Sequence, residues 1–389
     1  MLIKSECVWV GGMFIPAVLD VRDRRILAVL PYHETEVDDD WGRKRIVPGF
    51  IDIHTHGAYG FDTNSAEEEG LKNWKKRLPS EGVTSFLATT ATAKKEVLLN
   101  AVRNVARVKM LEPPGADILG VHLEGPYIDK KYHGAQPVEA IAKPDVKEFM
   151  EYQSAAGGLI KVVTVATEYD EDWKLTRYCS QHGVVVSIGH SAATLEQAAL
   201  AVANGARSVT HTYNGMSGFT HRANGLVGAA MRLDSLYCEI ICDCNHSTPE
   251  ALNLLFRTKG KEKPVMISDS VMCKGFQPGE IFHFAGLDVE IYPDGSAHLI
   301  KEKNLAGSTM KMNEGLKNLV ERALVPFDAA LNACTVNPAT LLKLDDQIGR
   351  LAAGCDADLV VLDDDYSVLE TYCKGRRQHL DLERKGDSA

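Results

Sequence analysis

The sequence lacks the features of a membrane-spanning or secreted protein. No apolar run approaches the roughly 20 residues that a membrane helix requires. Residues 1–14 contain no basic region followed by an apolar stretch and a small-residue cleavage site. The nine cysteines are scattered from Cys7 to Cys373 and include no Cys-x-x-Cys pair, which disfavours a disulfide framework. We therefore expect a cytoplasmic protein with free thiols.

Positive charge is also scarce. Asp and Glu outnumber Lys and Arg by 53 to 43, which gives a formal net charge of -10. Proteins that bind nucleic acid or anionic lipid normally present a basic surface, so neither is expected as a partner. A small anionic substrate is still compatible with this composition, because a few local Arg and His side chains are enough to bind it.

The 389-residue chain is long enough for two domains or for one large barrel with an addition. Residues 2–31 and 346–375 both alternate between β-forming residues and turns. We expect them to pair into a small, discontinuous β-sandwich domain formed by residues 1–47 and 345–389. The remaining residues, 48–344, would form the catalytic domain.

Within the central region, eight short apolar runs alternate with helix-like stretches such as 194–206 and 248–260. Continuous apolar runs are typical of strands that are buried on both faces. Repeated βα units predict an α/β protein with a parallel (β/α)8 TIM-like barrel, and an open doubly wound sheet is the alternative. The strand candidates are 50–54, 83–89, 117–123, 160–167, 184–190, 207–212, 237–243 and 264–269.

Possible metal ligands follow five of these strands, at the end of a barrel where catalytic groups are found. His54 and His56 lie two residues apart, so both side chains point to the same face of their strand. Four imidazoles and two carboxylates are suitable ligands for one or two Zn²⁺ or Fe²⁺ ions. The six candidates are His54, His56, Glu124, His190, His211 and Asp269.

Several motifs in this order resemble the amidohydrolase superfamily, whose metal-dependent barrel carries a β-sandwich made from both chain ends. They include "VPGFIDIHTHG" and "NPATLLKLDDQIGRLAAGCDADLVVLD". Within the superfamily, "GVHLEGPYIDKKYHGAQP", "GHSAAT", "THTYNGMSGFTHRANGLVGAA", "CDCNH" and "SDSVMCKG" are similar to the N-acetylglucosamine-6-phosphate deacetylases. The resemblance covers about residues 3–375 and implies an enzyme of amino sugar metabolism that removes an acetyl group from a sugar phosphate.

The resemblance also assigns roles to residues. It implies that Glu124, His190 and His211 hold the main catalytic metal, that His54 and His56 build a second metal position, and that Asp269 is the catalytic acid/base. It further implies a homodimer in which Arg222 reaches the partner's active site. Residues matching the family's substrate contacts are Ala135, Gln136, Asn214, Gly215, Arg222, His246, Leu305, Ala306 and Gly307.

The sequence departs from the family pattern at Ala223-Asn224, Cys244 and Ser270, all near the expected sugar-phosphate pocket. These departures leave open a deacetylase of N-acetylgalactosamine 6-phosphate. Two further alternatives are a cyclic-amide hydrolase of the dihydroorotase type, which shares the fold, and a non-catalytic barrel scaffold. The cyclic-amide reading is disfavoured because the fourth strand candidate ends without the lysine that such enzymes commonly carbamylate. The scaffold reading is disfavoured because all six candidate ligands are retained.

Overall fold

A computed structural model describes residues 1–33, 36–284, 286–301 and 303–378. Its strands fall into a terminal sheet, a parallel barrel and two smaller sheets. In chain order the strands are β1 (Leu2–Val10), β2 (Met13–Arg22), β3 (Arg25–Pro31), β4 (Asp39–Asp40), β5 (Arg45–Pro48), β6 (Phe50–Thr55), β7 (Gly57–Ala58), β8 (Phe61–Asp62), β9 (Val83–Thr90), β10 (Asp117–Glu124), β11 (Ile160–Val165), β12 (Val185–Ile188), β13 (Ser208–Val209), β14 (Tyr237–Ile241), β15 (Pro264–Ile267), β16 (Ile281–Phe284), β17 (Leu287–Ile291), β18 (Ala297–Leu299), β19 (Leu359–Leu362), β20 (Val368–Cys373) and β21 (Arg376–Arg377).

Helices occupy most of the gaps between the barrel strands. The two predicted helices are present as α5 and α7, and each begins after a threonine whose hydroxyl accepts a hydrogen bond from the first turn: Thr194 and Thr248. Among the described residues no helix is long and apolar enough to cross a membrane. The α-helices are α1 (Glu68–Arg77), α2 (Lys95–Met110), α3 (Val146–Ala155), α4 (Lys174–Gln181), α5 (Leu195–Ala203), α6 (Gly225–Arg232), α7 (Pro249–Lys259), α8 (Met312–Lys317), α9 (Phe327–Cys334) and α10 (Val336–Leu341).

All eight predicted central strands are present, and they pair in parallel in the order β15-β14-β13-β12-β11-β10-β9-β6. The two edge strands, β15 and β6, lie beside each other, so the sheet curves into a nearly closed barrel. Each carboxyl end therefore faces one common mouth. The predicted (β/α)8 fold is confirmed, and the doubly wound alternative is wrong.

The predicted strands are too long at several carboxyl ends. β12 stops at Ile188 rather than at residue 190, β13 at Val209 rather than at residue 212, and β15 at Ile267 rather than at residue 269. The physical reason is that His190, His211 and Asp269 have φ values of 45°, 29° and 48°. A positive φ cannot continue a β-ladder, so the chain turns at the residues expected to carry the chemistry.

The two chain ends share one sheet, in the order β21-β20-β19-β5-β1-β2-β3, with β4 beside β1. Its buried apolar side chains, among them Ile3, Leu19, Val361 and Tyr372, come from the two ends alone. This pairing supports the proposed domain of residues 1–47 and 345–389, although β5 extends to Pro48 and residues 379–389 lie outside the described residues.

A small antiparallel sheet, β16-β17-β18, follows the last barrel strand and was not predicted. It packs around its own buried residues, including Val289 and Leu299, together with Val271 from the mouth of the barrel. The insertion therefore lies against one side of the barrel mouth. All nine cysteines are free, as expected.

Candidate active site

Glu124 forms the centre of a buried cluster at the barrel mouth. It ends β10, and its Oε1 lies 3.2 Å from His190 Nε2 and 3.1 Å from His211 Nε2. The two imidazole Nε2 atoms are themselves 3.1 Å apart. Three potential ligand atoms therefore converge on one small volume.

The other three predicted ligands complete the cluster from the opposite side. Asp269 Oδ1 lies 3.4 Å from His54 Nε2 and 3.2 Å from His56 Nε2. Glu124 joins this group as well, because its Oε1 is 3.5 Å from His54 Nε2 and its Oε2 is 3.3 Å from His56 Nε2. The six side chains thus form two groups of three, and Glu124 of the first group also lies close to both histidines of the second. We call them the Glu124 group (Glu124, His190 and His211) and the Asp269 group (Asp269, His54 and His56).

The second nitrogen of each imidazole in the Glu124 group faces a backbone carbonyl. His190 Nδ1 is 2.6 Å from the Tyr132 oxygen, and His211 Nδ1 is 3.1 Å from the Asn214 oxygen. Because a carbonyl oxygen can only accept a hydrogen bond, each Nδ1 carries the proton. In the neutral form of each ring the Nε2 lone pair therefore points into the cluster, where it can bind a cation.

In the Asp269 group, His54 is held by a side chain that sequence reasoning missed. Its Nδ1 lies 3.0 Å from Oε2 of Glu239, which projects from the middle of β14 and is fully buried. Burial raises the pKa of Glu239 to about 7. An acidic residue in the middle of an otherwise apolar barrel strand is the signal that would have revealed it.

His122 lies next to this pair, and a nitrogen of its ring lies within 4.8 Å of ligand atoms of both His54 and Glu239. Its Nδ1 is 3.0 Å from the Ile53 carbonyl oxygen and its Nε2 is 2.8 Å from Thr164 Oγ1. Both ring nitrogens are therefore occupied within the barrel interior. Binding of a metal ion by His122, which is not among the six candidate ligands, would displace one of these hydrogen bonds.

The carboxylates of the cluster are stabilised in their charged form. Burial alone would raise the pKa of Asp269, but the neighbouring imidazoles of His54 and His56 outweigh burial and bring the pKa to about 2. Burial would likewise raise the pKa of Glu124, but the imidazoles of His54 and His190 outweigh it and hold the pKa well below its usual range. Both carboxylates are thus anionic ligands at neutral pH.

The backbone around His190 allows very little extra volume. A Cβ on Gly215 would lie 2.9 Å from His190 Nδ1, and one on Gly134 would lie 3.2 Å from its Cε1. Both glycines also have positive φ values, 57° and 61°. Small residues at these positions therefore leave the imidazole in place and let the loops approach it closely.

A cavity of about 310 Å³ opens directly above the cluster. Ala306 is buried rather than exposed in this cavity, and Arg222 is exposed on a loop that does not line it. Gln136 lines the cavity, but its amide already donates to Glu124 Oε2 at 2.5 Å, so it positions that carboxylate. The predicted substrate contacts that line the cavity are Ala135, Gln136, Asn214, Gly215, His246, Leu305 and Gly307.

His246 reaches the cavity from the loop after β14. Its Nδ1 lies 2.7 Å from Asp243 Oδ2, whose other oxygen accepts the backbone N–H groups of Asn245 and His246. The pKa of Asp243 is lowered: burial opposes the shift, and the His246 hydrogen bond outweighs it. Asp243 therefore fixes the ring, which leaves Nε2 as the atom that can contact a ligand.

Comparison with known proteins agrees with this geometry. The sequence profile of the Amidohydrolase family matches residues 45–377. The chain belongs to the amidohydrolase family. It is 40% identical to the N-acetylglucosamine-6-phosphate deacetylase of Bacillus subtilis (strain 168), over 85% of this chain and 83% of the relative. It is 31% identical to the N-acetylgalactosamine-6-phosphate deacetylase of Escherichia coli O157:H7, over 92% and 93% of the two chains.

A solved structure is also similar to this amidohydrolase. It is a mutant N-acetyl-D-glucosamine-6-phosphate deacetylase from Mycobacterium smegmatis in complex with N-acetyl-D-glucosamine-6-phosphate. The TM-score is 0.91 at 29% sequence identity, and the match covers 97% of this chain and 99% of the other. The similarity therefore includes the terminal sheet as well as the barrel.

The cluster of this amidohydrolase is suited to a divalent cation. His54 Nε2 is fully buried and makes no hydrogen bond among the described residues, although a buried ring nitrogen normally has a partner. The Glu124 group and the Asp269 group each bring three ligand atoms within 4.8 Å of one another. Imidazole nitrogen and carboxylate oxygen are ligands of Zn²⁺ and Fe²⁺, so the cluster has the donor set of a divalent metal site.

Proposed function

We propose that this chain is an N-acetylglucosamine-6-phosphate deacetylase, which hydrolyses its substrate to glucosamine 6-phosphate and acetate. The observation that carries the proposal is the cluster of six ligand side chains beneath a cavity lined by seven of the expected substrate contacts. The similarity to deacetylases along nearly the whole chain supports it. Its location in the cytoplasm remains a prediction from the sequence.

We assign the main metal position to the Glu124 group, with Zn²⁺ as the expected ion and Fe²⁺ as the alternative. His54 and His56 would build a second position, with Glu124 as the bridge, so the chain would bind one or two ions. A divalent cation bound there supplies Lewis-acid chemistry, which polarises a carbonyl group and lowers the pKa of water.

We propose that Asp269 moves the proton during hydrolysis. Its carboxylate is ionised at neutral pH, and its Oδ1 faces the cluster while the residue lines the cavity. It can accept a proton from the attacking water and later deliver that proton to the leaving nitrogen. The C–N bond then breaks, acetate forms and the amino sugar phosphate leaves.

The sugar phosphate would be held by the cavity wall. We propose that Asn214, Gly215 and His246 contact it by directed hydrogen bonds, and that Ala135 and residues 305–307 border the sugar. Arg222 does not line the cavity of its own chain, which supports the proposal that it reaches the active site of a second copy in a homodimer.

A substrate panel tests the proposed activity. Purified protein is assayed for acetate release from N-acetylglucosamine and N-acetylgalactosamine, each with and without a 6-phosphate, and for ring opening of a cyclic amide. We expect the highest kcat/KM with N-acetylglucosamine 6-phosphate. A preference for the galacto sugar or for the cyclic amide would replace the proposal with that activity, and turnover of none of them would favour a scaffold.

Mixed dimers test the role of Arg222. The Arg222→Ala and His190→Ala variants are each expressed and purified alone. The two variants are also co-expressed, and the mixed dimer is purified. If Arg222 acts in the partner's site, a mixed dimer contains one site with intact metal ligands and an intact arginine, so activity reappears. Activity that stays at the level of the separate variants would contradict this arrangement.

A further inference from the structure

A second cavity lies at the opposite end of the barrel from the cluster. It measures about 190 Å³ and shares no lining residue with the cavity above the cluster. Asp117 and Ile118 contribute from the start of β10, and Lys374 and Arg376 from the turn and strand after β20. The cavity therefore lies where the terminal sheet meets the amino-terminal face of the barrel.

Its charge is opposite to that of the whole chain. Five basic side chains and only two acidic ones line the cavity, whereas the protein carries a net charge of -10. Both acids already have cationic partners: Asp117 is 2.9 Å from Lys374, and Glu112 is 3.9 Å from Arg24. Three cations make no salt bridge among the described residues, namely Lys75, Lys109 and Arg376, although the Asp117 carboxylate also attracts the two lysines.

Lys75 carries the strongest signal of the three. It is only 4% exposed, and its Nζ donates to the Pro113 carbonyl oxygen as its one recorded hydrogen bond. Lys109 Nζ similarly donates to the Ile118 carbonyl oxygen. A lysine in the last turn of a helix is common, because it complements the helix dipole. Here, however, lysines from the last turns of α1 and α2 line one cavity, and each ammonium group still has donors to offer.

Burial disfavours the charges on the two lysines, and the attraction of Asp117 offsets this only in part. Burial lowers the pKa of Lys75 to about 8, and it also lowers the pKa of Lys109. A dianion bound between the two ammonium groups would remove this penalty and use their free donors. The cavity is large enough for a phosphate group together with a few ordered waters.

We propose that this cavity is a binding site for a phosphate group, supplied either by inorganic phosphate or by a small phosphomonoester. Lys75 and Lys109 would bind it from the barrel side, and Arg376 from the terminal sheet. A ligand in this position would link the two domains, so its binding would stabilise their junction. The site is separate from the proposed deacetylase chemistry and does not depend on it.

Calorimetric titration with inorganic phosphate at constant ionic strength tests the proposal on the full chain. We expect saturable binding whose dissociation constant rises about tenfold or more in Lys75→Met/Lys109→Met, since each lost charge-assisted contact weakens binding. The matched control is Lys76→Met/Lys95→Met, which removes the same charge from the same two helices outside the cavity. This control should bind phosphate as the unmodified chain does.

Two further variants control for misfolding of the lysine variant and for phosphate binding in the active site. Arg376→Glu changes an exposed side chain, so it should fold normally and still weaken binding. His246→Ala alters the catalytic cavity, so it should weaken any phosphate binding there and leave the lysine-dependent binding in place. Absence of saturable binding, or binding that is lost in His246→Ala and kept in the lysine variant, overturns the proposal. Tighter binding of glycerol 3-phosphate than of phosphate would identify a phosphomonoester as the ligand, and the reverse order would identify the free anion.

Discussion

The Glu124 group and the Asp269 group use the same side-chain types, but they are held in different ways. In the Glu124 group, both imidazoles are fixed by backbone carbonyls, those of Tyr132 and Asn214. In the Asp269 group, His54 is fixed by the side chain of Glu239, and His56 Nδ1 has no hydrogen-bond partner among the described residues. Support from the main chain does not depend on the residue type at the supporting position, whereas support from a side chain can be lost by one substitution.

Backbone conformation shows the same contrast. His54 and His56 lie at the end of a regular strand, where two-residue spacing directs both side chains inward. His190 and His211 instead adopt a left-handed conformation, which costs about 1–3 kcal/mol at a non-glycine residue. Such strain persists only where the surrounding structure enforces it. The Glu124 group contains two such residues, whereas the Asp269 group contains one, Asp269 itself with a φ of 48°. The Glu124 group is therefore the more strongly constrained half, in agreement with its assignment to the essential ion.

The largest expected effect comes from removing a ligand of the constrained half. His190→Ala should reduce kcat below about one thousandth and lower the metal content strongly, because three protein ligands are the minimum for a catalytic zinc site. Turnover and metal content measured on the same preparation check this. Near-normal turnover in the variant would show that the Glu124 group does not hold the essential ion.

A second variant separates proton transfer from metal binding. Asp269→Asn should keep most of the metal at the Glu124 group and lower kcat by about 10²–10⁴-fold, since an amide cannot accept and return the proton. Metal analysis and kcat distinguish the two effects. Loss of metal in proportion to activity would instead make Asp269 mainly a ligand.

Removing His54 and His56 from the end of β6 tests directly whether the two groups hold separate ions. The double variant His54→Ala/His56→Ala should bind about one ion per chain and retain measurable turnover. Metal per chain and kcat are compared with those of His190→Ala. If the double variant is equally inactive and equally free of metal, the "HTH" motif holds the essential ion and the contrast between the halves is reversed.

Much of this architecture could be predicted from the sequence. The barrel strands are continuous apolar runs, and the ligands follow them in register, so both patterns are local. The positive φ values at His190, His211 and Asp269 were not predicted, because tertiary contacts impose them on residues that normally avoid them. The insertion was missed because its strands are short and partly exposed, such as β16 (Ile281–Phe284).

Supporting side chains were harder to predict than ligands. Glu239 and Gln136 act through contacts that join separate elements, β14 with β6 and a loop with β10. Neither contact can be predicted from one sequence, because the partners become neighbours only when the chain folds. Arg222 presents a different difficulty, because its predicted role requires a second chain.

The smallest expected effect concerns the side chain that holds His54. Glu239→Gln keeps the size of the residue but leaves only a neutral amide oxygen to accept the His54 Nδ1–H, so the hydrogen bond that fixes the ring with its Nε2 lone pair toward the cluster is weakened. Supporting partners of this kind typically contribute about 10–100-fold in metal affinity. We therefore expect the second ion to bind about 10–100-fold more weakly, while the first ion and most of kcat are retained.

Titration of metal-depleted protein with Zn²⁺, followed by calorimetry, measures the two affinities separately. Asp358→Asn is the matched control, because Asp358 is also a buried carboxyl whose pKa burial raises to about 7, but it lies immediately before β19 of the terminal sheet. The control should leave both affinities unchanged. If Glu239→Gln weakens the first ion as much as the second, then the Glu124 group depends on the same support, and the two halves of the cluster are not independent.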